Sequence, residues 1–408
     1  MKKMNSYLTH GLFLASMAVF VSCQNNEPEL SSALVAHSSD HLVTLDEALN
    51  NANDMFELIG KKRTRSSSDV KSVKMFRCAT RSEDATDMHG FYVVNYGNDE
   101  GFALLSADNR RAAVYAISEE GALNLSDTLT NDGLSWYLNN FIPTIDAEIL
   151  PLLNGHEPPT PPVLPPLNPN WVYYENYTDP LITGFMSQFH QGSPFNYYCN
   201  GNLIGCLPLA MGTIMGFYGW PLSHNNYHFD WTSMYATRYH SSWAYLFKDL
   251  GSNENLNAIY GPDKTPSFWS AVINTFLNYG YKSPTERASS EVNEVNTYLK
   301  AGNPILCCGI IDSNHNDNHN DDDYAHAWVI DGGYVKGMYE HGITPEDPGK
   351  YVYHTYYHCI WGYGGKSNGY YYYYNGLGGT ASSYDSDTTE LGINYPILRF
   401  VYGFTPDK

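Results

Sequence analysis

Two residues of this sequence stand where nucleophilic chemistry is open to them. Cys206 follows Gly205 and precedes Leu207-Pro208-Leu209-Ala210-Met211, and apolar positions 207, 210, 211, 214, 217 and 218 recur at helical spacing. Pro208 suits a first helical turn and would break an interior one. The spacing therefore predicts a buried helix that begins at Cys206. Unpaired N–H groups at such a start carry partial positive charge, which favours a thiolate. A plain core cysteine is the other reading, since free cysteine is among the most buried residue types. A nucleophilic thiol also needs a base. Of the 15 histidines, His326 in Tyr324-Ala325-His326-Ala327-Trp328-Val329-Ile330-Asp331-Gly332 is the one that heads a strongly apolar strand. A histidine buried for packing is the alternative there. Gln191, in the turn Gln191-Gly192-Ser193-Pro194-Phe195-Asn196, carries an amide able to stabilise an oxyanion. Trp361 opens the Gly-rich turn Trp361-Gly362-Tyr363-Gly364-Gly365, so the order along the chain is Gln, Cys, His, Trp.

The elements that must position these residues fall into two parts. Residues 45–58 read as a helix with Thr44 as N-cap, residues 91–97, 101–106 and 114–117 as strands, and 127–153 as a helical pattern through Leu134, Tyr137, Leu138 and Phe141. Residues 63–71 read as a basic, Ser-rich loop. Pro158, Pro159, Pro161, Pro162, Pro165, Pro166 and Pro169 then form an extended, semi-rigid linker. Beyond it the chain is Gly- and Tyr-rich, with helical patterns first and strand-like runs later, which predicts an α+β fold. At the other end, Lys2 and Lys3 precede an apolar stretch from Gly11 to Val21, the pattern of a signal peptide too short to span a membrane. Ser22-Cys23 after it resembles a bacterial lipobox, with Phe20 where Leu is usual, so Cys23 is expected to carry lipid. The expected division is residues 1–22 signal peptide, 23–40 tether, 41–155 N-terminal domain, 156–170 linker and 171–408 C-terminal domain.

Composition closes off other classes. With 43 acidic and 23 basic residues among 408, the formal charge of −20 argues against a nucleic-acid partner. Aromatics at 15% are too rich for a disordered chain, and no interior apolar run is long enough for a polytopic membrane protein. The seven scattered cysteines contain no CxxC pair, so neither a disulfide framework nor a zinc cluster is expected, and no cofactor.

The ordered motifs resemble those of the streptopain-like cysteine peptidases, which have a papain-like fold. Gln191 to Asn196 is similar to their oxyanion-hole segment, and Gly205-Cys206 with Ala210-Met211, Met215 and Trp220-Pro221 to their nucleophile helix. Phe229-Asp230-Trp231 with Met234, His326 to Gly332, and His358 with Trp361 to Gly365 complete the match. Residues 91–97 and 101–108 resemble the family's inhibitory prodomain, which the 41–155 segment would then be. The resemblance implies Cys206 as nucleophile, His326 as its ion-pair partner and proton donor, Gln191 in the oxyanion hole and Trp361 orienting the imidazole. It implies a zymogen, hydrolysing protein or peptide substrates, inhibited by its own prodomain and activated by its proteolytic removal around residues 154–170 or 63–71. With Cys23 lipidated, the enzyme would be exported and held at the cell envelope. The chain departs from the family at Ile360, where Asn is common, leaving Trp361, the backbone or His358 to hold the imidazole. It also has Tyr363 for a second Trp, and Phe189 for a Trp before Gln191.

Other features read as structural. The run Asp312 to Asp323 spaces oxygen ligands like a calcium loop but lacks the Gly and Glu such a loop needs, so a solvated loop is expected. Cys307-Cys308 reads as core, Cys199 lacks the preceding glycine and the following helix that mark Cys206, Gly376-Leu377-Gly378-Gly379 reads as a turn, and the tyrosine runs as strand packing rather than a sugar-binding face. The competing functions are a non-catalytic surface lipoprotein that binds peptide or glycan, and an amidase acting through the same Cys–His pair.

Overall fold

The computed structural model describes residues 42–60, 70–78, 89–109, 111–124, 131–142, 172–288, 292–311, 324–340, 350–373 and 396–408. The signal peptide with Cys23, the tether, the Pro-rich linker, the 312–323 run and the 376–379 turn lie outside them.

The N-terminal part opens with helix α1, Leu45–Leu58. Its start is a capping box: Thr44 Oγ1 accepts the Glu47 N–H at 3.3 Å, and the Glu47 carboxylate accepts the Thr44 N–H at 2.8 Å. Ala48, Ala52, Met55 and Phe56 recur on one face and are buried. They pack on an antiparallel sheet of β1 (Val70–Cys78), β2 (His89–Tyr96), β3 (Phe102–Ser106) and β4 (Val114–Ser118). The loop expected at 63–71 thus ends earlier, because Val70 and Lys71 already belong to β1; a register shift between Val70 and Ser72 interrupts the alternation that would have marked the strand. Of the helical pattern expected at 127–153, residues 131–142 are described, and they hold a short helix, α2 (Asp132–Trp136), and a π turn, Tyr137–Phe141.

The C-terminal part begins with β5 (Val172–Thr178). A helical half follows: α3 (Cys206–Tyr218), the hairpin β6 (Ser223–His224) and β7 (Tyr227–His228), α4 (Trp231–Ala236), α5 (Ser241–Leu250) and α6 (Val272–Asn278). The sheet half holds β8 (Tyr281–Lys282), β9 (Thr285–Ala288), α7 (Val292–Lys300), β10 (Ile305–Ile311), β11 (Tyr324–Glu340), β12 (Lys350–Ile360), β13 (Gly369–Tyr373), β14 (Pro396–Tyr402) and β15 (Thr405–Pro406), the last paired with β8.

The two parts share one antiparallel sheet. Its strand order is β1-β2-β3-β4-β13-β12-β11-β10-β14-β9, and β5 joins the second half of the long β11. The seam pairs Ser118 with Gly369, Ile117 with Tyr370 and Ala116 with Tyr371. A Cβ on Gly369 would lie 2.1 Å from the Ile117 carbonyl oxygen, so the seam closes only on glycine. Period-2 alternation sends the two faces of β10 and β11 into two cores. Ile305, Cys307, Trp328 and Ile330 join the core that includes the N-terminal part, whereas Leu306, Cys308, Ala327 and Val329 join the helical half. Tyr370, Tyr371, Tyr372 and Tyr373 are all buried, which is the packing role expected for the tyrosine run.

Candidate active site

Helix α3 places Cys206 at its first position. Gly205 before it has φ +98°, and a Cβ there would meet the Thr265 carbonyl oxygen at 2.9 Å, so the chain enters the helix through a conformation that favours glycine. No side chain caps the helix, and Pro208 in its first turn has no N–H to satisfy, so the positive end of the helix lies at Cys206. Leu207 to Gly216 are buried, and Gly219 in the left-handed region ends the helix. The ends of the segment are tied: the Gln191 carbonyl accepts the Ile204 N–H at 3.0 Å, which sets Gln191 beside the approach to Cys206.

His326 comes from β11, opposite Gly309 on β10, and is 1% exposed. Its Nε2 lies 3.0 Å from the Trp361 carbonyl oxygen. A carbonyl only accepts, so Nε2 carries the hydrogen and Nδ1 is left for the thiol. Rings of Trp328 and Tyr363 flank the imidazole, with centroids 6.4 and 5.6 Å away. Trp361 thus reaches His326 through its backbone, and the space left by Ile360 is filled by this bond. Ile360 itself points into the helical-side core. His358 is not available for the role, because its Nδ1 is 2.6 Å from Asp331 Oδ1.

Electrostatics favour a charged imidazole. Burial works most strongly against the charge, but the Cys206 thiolate, by charge and hydrogen bond, outweighs it together with the Trp361 carbonyl and the Asp132 carboxylate. The pKa of His326 ends above the ordinary imidazole value. Four other cysteines are inert by comparison. Cys199, Cys307, Cys308 and Cys359 are unpaired and buried, and burial pushes each thiol up. Of these five cysteines, Cys206 alone is half-buried. The described residues contain no group of three His, Cys, Asp or Glu able to hold a metal ion.

Two contributors were not singled out by the sequence. Asn368 accepts the Trp361 N–H through Oδ1 at 3.2 Å and donates from Nδ2 to the Ser187 carbonyl at 2.8 Å, which fixes the peptide that holds His326. Its only signal was an amide in a Gly-rich turn. The second is α2, capped by Asn131, whose Oδ1 accepts the Leu134 N–H at 2.9 Å. A Cβ on Gly133 would lie 2.4 Å from Trp361 Cε3 and 2.6 Å from His326 Cδ2, so this backbone rests directly on both rings. Tyr363 OH accepts the Asp132 N–H at 3.1 Å, and Trp136 lies over Gly309 and against Trp328. Tyr137 OH lies within hydrogen-bonding distance of the carbonyls of Tyr115 and Tyr372, at 2.9 and 3.0 Å, bracing α2 on both sides of the seam.

A helical half bearing a thiol at a helix start and a sheet half bearing a buried histidine define a papain-like fold, with an N-terminal segment seated on that histidine. Residues 189–371 match the Peptidase C10 family, and residues 40–144 match the Spi protease inhibitor family. The C-terminal part is thus similar to a Peptidase C10 domain and the N-terminal part to a Spi protease inhibitor domain. The chain is 25% identical over 373 residues to the thiol protease/hemagglutinin PrtT of Porphyromonas gingivalis, covering 81% of this chain but 38% of that protein's length. Its fold is similar to that of a prointerpain A fragment from Prevotella intermedia, with a TM-score of 0.50 and 17% identity over 78% of this chain and 96% of the other.

Proposed function

We propose that the chain is the zymogen of an exported cysteine endopeptidase in which Cys206 is the nucleophile and His326 its acid–base partner. The observation that carries this is the pairing of a half-exposed thiol at a helix start with a buried imidazole whose Nε2 is engaged by the Trp361 carbonyl. The Cys206 thiolate attacks the peptide carbonyl carbon and forms a C–S bond, while the carbonyl electron pair moves onto oxygen. The Cys206 N–H and the Gln191 amide stabilise that oxyanion. As the C–N bond breaks, His326 passes its Nδ1 proton to the leaving amine. Neutral His326 then takes a proton from water, whose oxygen attacks the thioester and releases the acid, regenerating the thiolate.

In the zymogen, α2 rests on His326 and Trp361, where a substrate on that side of the thiol would have to lie. Activation then requires cleavage and departure of the N-terminal domain, by the enzyme itself. The Lys2–Cys23 segment supports export and an anchor through a lipidated Cys23. The test is the full-length protein: it is expected to mature by itself, to hydrolyse casein and to be labelled once, at Cys206, by a thiol-directed epoxide. Cys206→Ala is expected to stay full length and inert. Self-maturation by that variant without added protease overturns the assignment.

A further inference from the structure

We propose that His190 is a positioning residue for peptide hydrolysis: its Nδ1 accepts the Gly192 N–H across Gln191 and holds the oxyanion-hole turn against Cys206. This rests on the reading of Cys206 and Gln191 given above. The bond spans 3.3 Å and closes a small ring whose middle member is Gln191. The imidazole has a fixed seat. Its ring meets Phe195 edge-on, with centroids 5.1 Å apart, and Phe195 is buried against Phe189 and Phe247. On the other side, the His190 backbone forms a β-bridge with Tyr363, and the Gly364 N–H donates to the Phe189 carbonyl at 3.1 Å. His190 therefore joins the turn from the helical half to the loop that follows Trp361, whose carbonyl holds His326.

The consequence is geometric. The Gln191 carbonyl is already bound to the Ile204 N–H, so the His190–Gly192 bond fixes the other side of the same residue. With both sides held, the amide side chain is carried in one direction. A single oxyanion donor is worth about 10²- to 10³-fold in kcat, and a shift of about 1 Å costs on the order of 10²-fold. The proton state suits the task. Burial first, then the Arg238 guanidinium, lower the imidazole's pKa, so near neutral pH Nδ1 keeps its lone pair. The other polar groups around this turn are the Tyr363 phenol, the Gln188 amide, which receives Arg238 Nη1 at 3.4 Å, and Glu120 of the prodomain beyond Gly365. Glu120 leaves with the prodomain and Arg238 remains. As pH falls through the lowered pKa, Nδ1 gains a proton, the acceptor is lost and hydrolysis falls with it.

The experiment compares full-length parent, His190→Phe and His190→Asn, all matured by the same added protease. Phe keeps the ring seat without the acceptor; Asn places an oxygen near the position of Nδ1. Two rates are read: hydrolysis of a peptide amide, and alkylation of Cys206 by iodoacetamide, a displacement that forms no oxyanion. The expected result for His190→Phe is a fall in kcat of about tenfold or more with KM little changed, and alkylation at the parent rate. His190→Asn is expected to recover most of the kcat and to move the acid limb of the pH profile. Hydrolysis by His190→Phe at the parent rate overturns the proposal, as does a parallel loss of hydrolysis and alkylation. A parent that iodoacetamide does not alkylate at Cys206 overturns the underlying reading, and the proposal with it.

Discussion

Replacing Gly133 by Ala is expected to loosen the prodomain while leaving the peptidase half intact. The added methyl would lie 2.4 Å from Trp361 Cε3, 2.8 Å from Trp361 Cζ3 and 2.6 Å from His326 Cδ2. Carbon atoms in contact settle at about 3.5–4.0 Å, so the overlap exceeds an ångström against two rings. Neither ring can yield easily: both are 1% exposed, and Trp361 is packed against Trp328 and Tyr371. Overpacking of this kind costs about 1–3 kcal/mol, and two rigid partners put the cost in the upper half of that range. Alanine also favours the helix over glycine by about 1 kcal/mol, which offsets part of it. The net is about 1–2 kcal/mol against the docked state, or roughly a 5- to 30-fold rise in the open fraction. The assay is the rate at which a peptidyl epoxide labels Cys206 in the uncut full-length chain, read by mass before processing begins. Labelling of Gly133→Ala at or below the parent rate would falsify the placement of α2 over the site as the inhibitory contact.

Further outcomes follow from the same geometry. Ile360→Asn introduces the residue common in the streptopain-like peptidases this chain resembles, yet it is expected to cost about 1–3 kcal/mol in chemical unfolding, because Ile360 is 3% exposed in the apolar core and an amide there lacks a partner. Its kcat is expected not to rise, since His326 Nε2 is already bound; a several-fold gain would refute that bond as sufficient. Asp331→Ala removes a fully buried carboxylate that accepts the Ile182 N–H at 2.8 Å and faces His358 at 2.6 Å. A loss of about 3 kcal/mol is expected from breaking such a pair, and a loss below about 1 kcal/mol in urea unfolding would count against it. The raised pKa of His326 sets the sign of the basic limb. Its stabilising charge is fully present below the ordinary imidazole value of about 6.5 and is lost as pH rises through the higher folded value. Asp132→Asn removes one cause of the rise, so the basic limb of Cys206 labelling in the uncut chain is expected to move to lower pH; an unmoved limb would argue against the Asp132 contribution.

Much of the site was legible because its members carry local signatures. Helical spacing after Gly205 and the first-turn Pro208 marked the start of α3, and the apolar run around His326 marked β11. Thr44 marked the start of α1 as an N-cap, and the capping box it forms with Glu47 lies within four consecutive residues. Asn368 and Gly133 were not legible. Asn368 matters because its amide meets Ser187, which is 181 residues away. Gly133 matters because of what lies above it in space, and a glycine in a short helical pattern reads as a weak point of that helix.

The order of Gln191, Cys206, His326 and Trp361, and the element type around each, follow from the chain itself, since helix starts and strand alternation are local properties of backbone and side chain. Which atom holds the imidazole was decided by the fold: with Ile360 turned into the helical-side core and His358 drawn to Asp331, the Trp361 carbonyl is the acceptor that remains within 3.0 Å. The fold likewise decided that the N-terminal part shares the sheet through β4 and β13 and rests α2 on His326. Those contacts join residues more than a hundred positions apart, and their strength comes from close packing and shared hydrogen bonds that exist only once both surfaces are formed.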